Sequence, residues 1–349
     1  MSKLNNRQEL ILSSLSPNQL LTPKEISSKI NQSVSTVTIS RDLSELVELE
    51  FLNRLGIGPA TKYALNPKAL LLRPIDFEKY FSVDTDHRQI ISHFNFEIFD
   101  TISKSPIFDQ KTQSELDQLQ SIFNSNYKKL SPTIIKKEIE RVTIELSWKS
   151  SVIEGNTYTL LDTENLLKEG IEAKGKQKKE SIMLINHKQV IDFIFNNRTE
   201  FQKISLSKIE DLHKLITKNL DISPNLRHTL VGITGTKYQP LDNQFQIRES
   251  IEKMCRLINS IDNIFTKSLL AIILISYIQP FEDGNKRTSR ILGNAILLAH
   301  NYFPLPLRNV DENLYKQATL LFYEQNNLQL FIKMFVDQCH FSVNNYFRT

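Results

Sequence analysis

The most constraining feature of this sequence is an apolar run that stops at a proline. Aliphatic side chains dominate from Leu269 to Ile278, and Pro280 follows two positions later. A helix that spans a membrane needs about 20 apolar residues, so this run is too short to be one. It predicts instead a helix buried inside a globular protein. Because proline lacks an amide hydrogen, this helix must end before Pro280.

Glycine is scarce, and this predicts a mostly helical fold. Only 9 glycines occur in 349 residues, which leaves little material for tight turns. Hydrophobic residues make up 40% of the chain and charged residues 23%, as is usual for a globular protein. We therefore predict an all-α fold with a small β component.

The two cysteines and the N-terminus predict a cytoplasmic protein that does not enter a membrane. Cys255 and Cys339 each lie in an apolar helical pattern, and no CxxC pair occurs. Two buried, reduced thiols are the simplest interpretation. The segment from Met1 to Asn6 lacks an apolar core of signal-peptide length.

Residues 1–66 predict a small N-terminal domain. Helical spacing covers residues 8–15, a capped helix begins at Thr22 and Pro23, and a third helix covers 35–46 after a turn at Asn31 to Ser33. Two short strands then flank a glycine-rich bend at 56–59. This order resembles the winged helix-turn-helix fold, whose third helix enters the major groove of DNA.

The electrostatics of this domain leave its partner open. The DNA-contact candidates on the third helix are Ser35, Thr36, Thr38 and Arg41. However, Asp42, Glu45 and Glu48 follow on the same helix, and the net charge of the chain is only +4. Since DNA affinity rests mainly on neutralising phosphates, docking of a protein to the wing is the alternative.

Two further regions follow. Residues 67–130 predict a helical linker or extension, in which Pro67 and Pro74 are expected to stop helices. Residues 131–349 predict the main domain. Its first helix has Ser131 as N-cap and Pro132 at the first position, and Gly155 ends it.

The segment after the apolar run predicts an anion-binding turn. Gly284 allows a tight turn, and the amides of Gly284, Asn285 and Lys286 come at the start of the next helix. Such amides bind anions with the help of the helix dipole. Lys286 adds a positive charge.

Two arginines and an acid complete this pattern. Arg287 and Arg290 are three residues apart and therefore project from one face of the helix, where they suit a polyphosphate. Asp283 could hold a Mg²⁺ ion that the phosphates share. The alternative is an ordinary corner between two helices with charges on its surface.

The same residues carry a family resemblance. The segment QPFEDGNKRTSR at 279–290 resembles the signature HPFx[D/E]GN[G/K]RxxR of the Fic family, with Gln279 in place of the histidine. The resemblance covers about residue 131 to the C-terminus. Within it, SSVIEG at 150–155 is similar to the inhibitory motif [S/T]xxxE[G/N] of the family. Residues 234–240 look like the flap that aligns the target side chain by strand addition.

The resemblance implies a fold, an activity and a set of residue roles. The fold is an all-α Fic core with a small β-hairpin flap. Members bind ATP with Mg²⁺ and usually transfer AMP to a Tyr, Ser or Thr hydroxyl of a protein, and they often form dimers. The implied site residues are Gln279 and Arg290 for catalysis, Asp283 for the metal, Gly284, Asn285, Lys286, Arg287 and Arg290 for the nucleotide, Ser150 and Glu154 for inhibition, and Thr236, Lys237 and Tyr238 for the flap. Glu154 is expected to form a salt bridge with Arg290 that blocks productive ATP binding.

Gln279 predicts impaired catalysis. The histidine of the family takes the proton of the attacking hydroxyl, but glutamine has no basic site near neutral pH. Loss of a general base typically costs about 10²–10⁴-fold in rate. The change is either natural or engineered, and His187 and His213 are interpreted as structural rather than as substitutes.

Two alternatives to AMP transfer stay open at the level of sequence. Lys286 stands where most AMP-transferring members have glycine, and it resembles the branch with the phosphate-transferring Doc toxins. The other alternative is a catalytically dead ATP-binding regulator of transcription that acts through the winged helix.

Overall fold

The computed structural model describes residues 4–15, 19–30, 34–88 and 90–349. These residues form two compact units. The N-terminal unit contains the described residues of 1–88, 97–107 and 325–329, and the C-terminal unit contains those of 89–96, 108–324 and 330–349. The division of the chain into 1–66, 67–130 and 131–349 stays a prediction.

The N-terminal unit is built from six helices and a hairpin within its described residues. The helices are α1 (Asn6–Ser14), α2 (Pro23–Lys29), α3 (Thr36–Glu48), α4 (Pro67–Leu72), α5 (Phe77–Ser82) and α6 (Ile98–Ser103). Strands β1 (Leu52–Leu55) and β2 (Lys62–Leu65) pair antiparallel, with Leu52 opposite Leu65. The turn expected at Asn31 to Ser33 lies outside the described residues, and the assignment as a winged helix-turn-helix stays a prediction.

The first helices share one apolar core, and their starts follow from local capping. Ile11, Ile26 and Leu43 are completely buried in this core. The N-cap of α2 is Thr22, whose hydroxyl accepts a hydrogen bond from the amide of Glu25, while the Glu25 carboxylate accepts one from the amide of Thr22. This reciprocal box fixes the start of α2 at the residue that the sequence predicted.

The candidate DNA-contact residues lie at the start of α3 and in its second turn, and Ser35, Thr38 and Arg41 have local partners. Ser35 is the N-cap and accepts a hydrogen bond from the amide of Thr38. The guanidinium Nε of Arg41 lies 3.1 Å from Oε1 of Glu45, and both side chains are exposed. An exposed pair of this kind is weak, so DNA contact through Arg41 stays a prediction.

Residues 67–72 correct the expectation that Pro67 stops a helix. Asn66 caps α4 and Pro67 occupies its first turn, where the missing amide hydrogen costs nothing. Ala69, Leu71 and Leu72 are buried. Burial of these apolar side chains makes the segment part of the packed unit.

The C-terminal unit is all-helical apart from short 3₁₀ turns and an isolated bridge within its described residues. Its helices are α7 (Gln110–Tyr127), α8 (Pro132–Val152), α9 (Leu160–Glu169), α10 (Lys178–Asn196), α11 (Leu206–Ile216), α12 (Gln244–Ser260), α13 (Ile264–Ile278), α14 (Asn285–Ala299), α15 (Glu312–Gln325) and α16 (Gln329–Asn345), the last two without residues 325 and 329. The predicted mostly helical fold is confirmed.

Helices α13 and α14 form the centre of this unit. Every residue of α13 from Ser268 to Ile278 is buried, which confirms the helix predicted from the apolar run. Gly293 lets α14 approach α13 closely, because an added Cβ would lie 2.5 Å from Cγ1 of Ile272. The hydroxyl of Ser268 donates a hydrogen bond to the carbonyl of Gly293, 3.0 Å away. This tight pair holds the turn between the two helices in place.

The remaining expectations about burial agree with the structure. Cys255 and Cys339 are free and buried, and burial raises the pKa of the Cys255 thiol to about 12. No helix in the described part of the chain combines the length and apolarity that crossing a bilayer requires.

Candidate active site

The turn between α13 and α14 begins with an unusual backbone conformation. Gln279 ends α13 with φ of 52°, in the left-handed region that L side chains rarely adopt. Pro280 then prevents the helix from continuing. Phe281 is completely buried, and its ring stacks on His213 with 3.6 Å between ring centres. The turn is therefore anchored by packing rather than left as a loose loop.

Asn285 holds the turn together with its side chain. Its Oδ1 accepts a hydrogen bond from the amide of Phe281 at 2.8 Å. Its Nδ2 donates to the carbonyl of Phe281 at 2.8 Å and to Oε1 of Gln279 at 3.0 Å. The side chain of Asn285 thus faces the turn, which leaves only its main-chain amide for an anion.

The start of α14 has the properties of an anion-binding helix terminus. Gly284 has φ of 80°, and α14 has no side-chain cap. The Gly284 amide donates to Oδ1 of Asp283, 2.5 Å away. Within the described part of the chain, the next three amides, at residues 285–287, have no hydrogen-bond acceptor. Unpaired amides at a helix start carry partial positive charge and favour an anion.

Glycine is required at position 284 for two reasons. An L side chain is strained at this φ, and an added Cβ would lie 3.0 Å from Cγ2 of Thr217. The ring of His213 lies only slightly further away, with Nε2 at 3.4 Å from that position. The backbone of the turn therefore approaches α11 too closely for any larger residue.

Arg287 and Arg290 face the interior beside this terminus. Arg287 is 2% exposed, and its Nη2 lies 3.5 Å from Oδ2 of Asp283. Its Nη1 is buried with no hydrogen-bond partner among the described residues. Arg290 is completely buried and lies 5.4 Å from the centre of the Tyr315 ring, within cation–π distance. Buried guanidinium groups with donors to spare suit a phosphate.

Glu154 forms the salt bridge with Arg290 that the resemblance implied. Its Oε1 lies 2.8 Å from Nη2 of Arg290. Burial alone would raise the pKa of Glu154, but the positive charges of Arg290, Lys286 and Arg287 outweigh it, so the pKa lies below its ordinary value. Glu154 therefore stays ionised and balances the charge of the site. Whether it inhibits stays a prediction.

Ser150 holds Arg290 from the other side. The Nε group of Arg290 donates to Oγ of Ser150, and its Nη2 donates to the Ser150 carbonyl, each at 2.9 Å. Because arginine can only donate, the Ser150 hydroxyl must accept here and give its own hydrogen to Nε2 of His187, 2.9 Å away. The Nδ1 of His187 is then left to donate to the carbonyl of Met183.

The two histidines near the site are engaged and buried, as the sequence predicted. Burial and the charges of Arg287 and Arg290 lower the pKa of His187 to about 3. Burial likewise lowers the pKa of His213, against the effect of the Asp283 and Pro224 carbonyls that its ring contacts. Neither imidazole is placed to take a proton from a substrate.

Gln279 is fixed at both ends of its side-chain amide. Its Nε2 donates to the carbonyl of Ser276 at 2.6 Å and lies 3.4 Å from the hydroxyl of Tyr323. Its Oε1 accepts from Asn285, as described above. Burial raises the pKa of the Tyr323 hydroxyl far above its ordinary value, so that group is no base either.

Arg227 is a functional candidate that sequence reasoning missed. It is 1% exposed, and its own amide donates to the carbonyl of Pro280 at 3.0 Å. Its Nε donates to the Gln279 carbonyl at 2.6 Å, and its Nη1 to the Thr229 carbonyl at 2.7 Å. Its Nη2 donates to the carbonyl of Leu241. A single arginine in a polar stretch has no periodicity, so no sequence signal could single it out.

Residues 231–240, here called the flap segment, are anchored by their C-terminal part. Tyr238 is buried and its hydroxyl donates to the carbonyl of Tyr277 at 2.9 Å. Thr236 accepts a hydrogen bond from the amide of Tyr238, whereas Lys237 is exposed. The two strands of the described residues are β1 and β2, and the flap segment contributes one parallel bridge, between Gln239 and residue 93. Of the three predicted flap residues, Tyr238 therefore serves as an anchor.

These groups border a cleft of about 490 Å³. Its lining includes Glu154, residues 231–235 of the flap segment, Gln279 and the stretch 282–287. Tyr315, Thr319 and Tyr323 of α15 complete the wall. The cleft thus joins the start of α14 to the flap segment and to position 279.

Comparison with known families and proteins shows what this part of the chain is similar to. The Fic/DOC family model matches residues 203–297, which contain the turn and the start of α14. Residues 203–297 therefore match the Fic/DOC family. Its sequence is 23% identical over 221 residues to the protein adenylyltransferase fic-1 of Caenorhabditis elegans, covering 61% of this chain and 43% of that protein. It is 25% identical over 194 residues to the protein adenylyltransferase Fic of Nematostella vectensis, covering 52% of this chain and 43% of that protein. The chain therefore spans less than half the length of these relatives.

The chain has the same fold as solved structures of Fic proteins. Residues 134–508 of Fic-1 from C. elegans match with a TM-score of 0.58 at 18% identity, covering 71% of this chain and 80% of that one. A signalling protein with a Fic domain from Bacteroides thetaiotaomicron matches with a TM-score of 0.56 at 20% identity, covering 66% of this chain and 96% of that one. The predicted Fic core fold is confirmed.

Proposed function

We propose that the Fic domain binds ATP with Mg²⁺ and transfers AMP to a hydroxyl side chain of a protein, that Glu154 restrains this activity, and that Gln279 weakens it. The observation that carries the proposal is the cleft, in which unpaired amides at 285–287, Arg287 and Glu154 meet beside position 279, with buried Arg290 paired to Glu154. The relatives named protein adenylyltransferases support the same reaction.

The cleft has the parts that the reaction needs for binding and charge stabilisation. A target hydroxyl oxygen would bond to the α-phosphorus of ATP, and the bond from that phosphorus to the oxygen bridging the β-phosphate would break. Pyrophosphate leaves with the bonding electrons, so negative charge develops on the leaving group. Arg287, Arg290 and the amides at the start of α14 are placed to stabilise that charge.

Asp283 fits the role of a magnesium ligand shared with phosphates. Its side chain is 70% exposed, and one oxygen is 3.5 Å from Arg287. No group of three or more His, Cys, Asp or Glu side chains that could hold a metal ion occurs in the described ranges. Mg²⁺ commonly uses one or two carboxylates together with substrate phosphates, and when bound it would neutralise phosphate charge. Asp283 would then hold the ion at the mouth of the cleft.

Restraint by Glu154 follows from competition for one guanidinium. Nη2 of Arg290 lies against both Glu154 and the Ser150 carbonyl, and its Nε donates to the Ser150 hydroxyl. A phosphate that approaches Arg290 must displace the carboxylate or bind away from it. Ionised Glu154 also repels phosphate through the low dielectric of the buried site. Glu154 thus favours an ATP pose that is unproductive for transfer.

Gln279 supplies no base for the hydroxyl proton at this position. Its amide has no basic site, and the rings of His187 and His213 are buried and engaged elsewhere. We therefore expect slow transfer, in which the proton leaves to water.

Labelling with radioactive ATP tests the reaction class. The Gln279→His protein, also carrying Glu154→Gly, is incubated with ATP labelled at the α or the γ position. Label retained from the α position supports AMP transfer. Label retained only from the γ position overturns it in favour of phosphate transfer, the alternative that Lys286 suggests.

A nucleotide-dependent regulator is the second candidate, and Gln279 is the observation that favours it. A site that binds ATP without a base can still switch between two states. The test measures DNA binding by the N-terminal unit in the full chain with and without Mg-ATP. Absence of label in every form, together with ATP-sensitive DNA binding that falls on Arg41→Ala, would support the regulator over the transferase.

A further inference from the structure

The side chain of Arg227 joins three segments of the chain by hydrogen bonds. Its side chain reaches the carbonyls of Gln279, Thr229 and Leu241. Gln279 ends α13, Thr229 lies two residues before the flap segment, and Leu241 lies directly after it. One buried side chain therefore ties the turn to both roots of the flap segment.

The hydrogen bonds of Arg227 should form or be lost together, because the side chain is buried. A buried guanidinium is costly unless its donors are satisfied. The carbonyls that accept from Arg227 also need hydrogen-bond partners. The Gln279 carbonyl, for example, lies at a helix end and has no partner within the helix. Loss of Arg227 would leave carbonyls on three segments unpaired at once, and the planar fork of the guanidinium is what allows donation in three directions.

We propose that Arg227 is a positioning residue that holds position 279 and both roots of the flap segment in one arrangement. This inference rests on the proposed function, since it assigns the flap segment to alignment of the target hydroxyl. A target aligned by residues 231–235 is then presented to position 279 at a set distance. Arg227 acts through these segments, because it is not among the residues that line the cleft.

The proposal separates alignment of the target from binding of the nucleotide. The turn before α14 keeps its support from the Asn285 side chain, and Arg290 keeps its support from Ser150. Removing the guanidinium group of Arg227 should therefore increase the mobility of the flap segment and leave Mg-ATP affinity nearly unchanged. A residue with a merely structural role would affect the whole domain.

The first experiment compares Arg227→Lys with Arg308→Lys in the full chain carrying Glu154→Gly. Arg308 pairs with Glu145, and it is not among the residues that line the cleft. For Arg227→Lys we expect amide hydrogen exchange at residues 229–241 to rise roughly tenfold or more, exchange inside α13 and α14 to stay unchanged, and the dissociation constant of Mg-ATP to change less than about twofold. Unchanged exchange at 229–241, or a uniform rise across the domain, overturns the proposal.

A second measurement uses the chain without any change at Arg227, so it does not depend on the folding of the lysine variant. The amides of Arg227, Gln239 and Gln279 donate to Pro280, Ser92 and Ile275, respectively. If Arg227 couples these segments, the three amides open together. Hydrogen exchange should then give the same free energy of opening for all three at each urea concentration. Independent opening of Gln239 and Gln279 overturns the proposal. Since this readout needs no ligand, a failure of Mg-ATP to bind would count against the proposed function alone.

Discussion

The carboxylate of Glu154 lies 2.8 Å from the guanidinium of Arg290, which is completely buried. The pair brings the turn that follows α8 against α14 and balances the charge of an arginine that has no access to water. Removing one partner of a buried pair generally costs about 3–5 kcal/mol, because the other charge is left uncompensated. The carboxylate is 22% exposed, so the low end of that range applies here.

Glu154→Gln should tighten binding of Mg-ATP and weaken the unligated fold. The substitution keeps the shape but removes the negative charge that competes with phosphate, so we expect the dissociation constant to fall about tenfold, equivalent to about 1.4 kcal/mol. Calorimetry gives the affinity, and thermal unfolding without nucleotide should show a lower Tm. The control is Glu312→Gln, which breaks the salt bridge with Lys149 outside the cleft. Equal affinities in the two variants would contradict a competing role of Glu154.

Gln279→His should raise the rate of transfer by about 10²–10⁴-fold, the usual contribution of a general base. The new imidazole would lie near the carbonyl of Ser276 and the side-chain amide of Asn285, which now form hydrogen bonds with the glutamine side chain. The initial rate of incorporation from α-labelled ATP measures the effect. Gln279→Ala is the matched control, and a similar gain in that variant would show that the glutamine merely blocked the site.

Gly284→Ala should both destabilise the domain and reduce Mg-ATP affinity. The positive φ strains any L residue, and the added Cβ meets Thr217 at 3.0 Å, so we expect a loss of about 1–3 kcal/mol in the free energy of unfolding. Gly175→Ala isolates the strain alone, because Gly175 has φ of 75° with no atom within 4 Å of the new Cβ. Urea unfolding, followed through the single tryptophan Trp148, compares the two variants. If both variants lost the same free energy of unfolding and Gly284→Ala kept its Mg-ATP affinity, the prediction that the close contact with Thr217 adds to the loss would be wrong.

The stability of the domain should fall as the pH is lowered from about 6.5 toward 3. The folded state holds the pKa of His187 at about 3, below the ordinary value of 6.5, so the unfolded chain binds more protons in this range. Its neutral ring therefore contributes stability that is fully present above pH 6.5 and is lost as the pH falls toward 3. Between pH 7.5 and 5 this single group accounts for about 2 kcal/mol in the free energy of unfolding.

His187→Gln provides the comparison for this pH dependence. The amide oxygen of glutamine can still accept a hydrogen bond from Ser150, but it does not titrate. We expect the loss of stability between pH 7.5 and 5 to be smaller in the variant by about the same 2 kcal/mol. Urea titrations at the two pH values measure the difference, and identical pH slopes in both proteins would rule out His187 as the source.

Much of the candidate site could be recognised in the sequence because its residues are close together along the chain. The stretch from Gln279 to Arg290 contains the turn and both arginines, and local rules for proline, glycine and helix starts predict their arrangement. The partner Glu154 is distant in sequence and was found only through the resemblance of its motif. The rule that proline ends a helix gave a wrong prediction at Pro67, because proline also fits the first turn of a helix.

The sequence by itself determined the buried helix α13, the capped start of α2 and the glycine turn at the start of α14, since each depends on interactions within a few residues. Only the tertiary structure decided that Tyr238 faces inward, that the Asn285 side chain braces the turn and that Arg227 joins Gln279 to Thr229 and Leu241. Those contacts depend on which carbonyls remain unpaired once the helices have packed. Side chains that satisfy such carbonyls carry no periodic signal, because their partners are set by three-dimensional packing rather than by spacing along the chain.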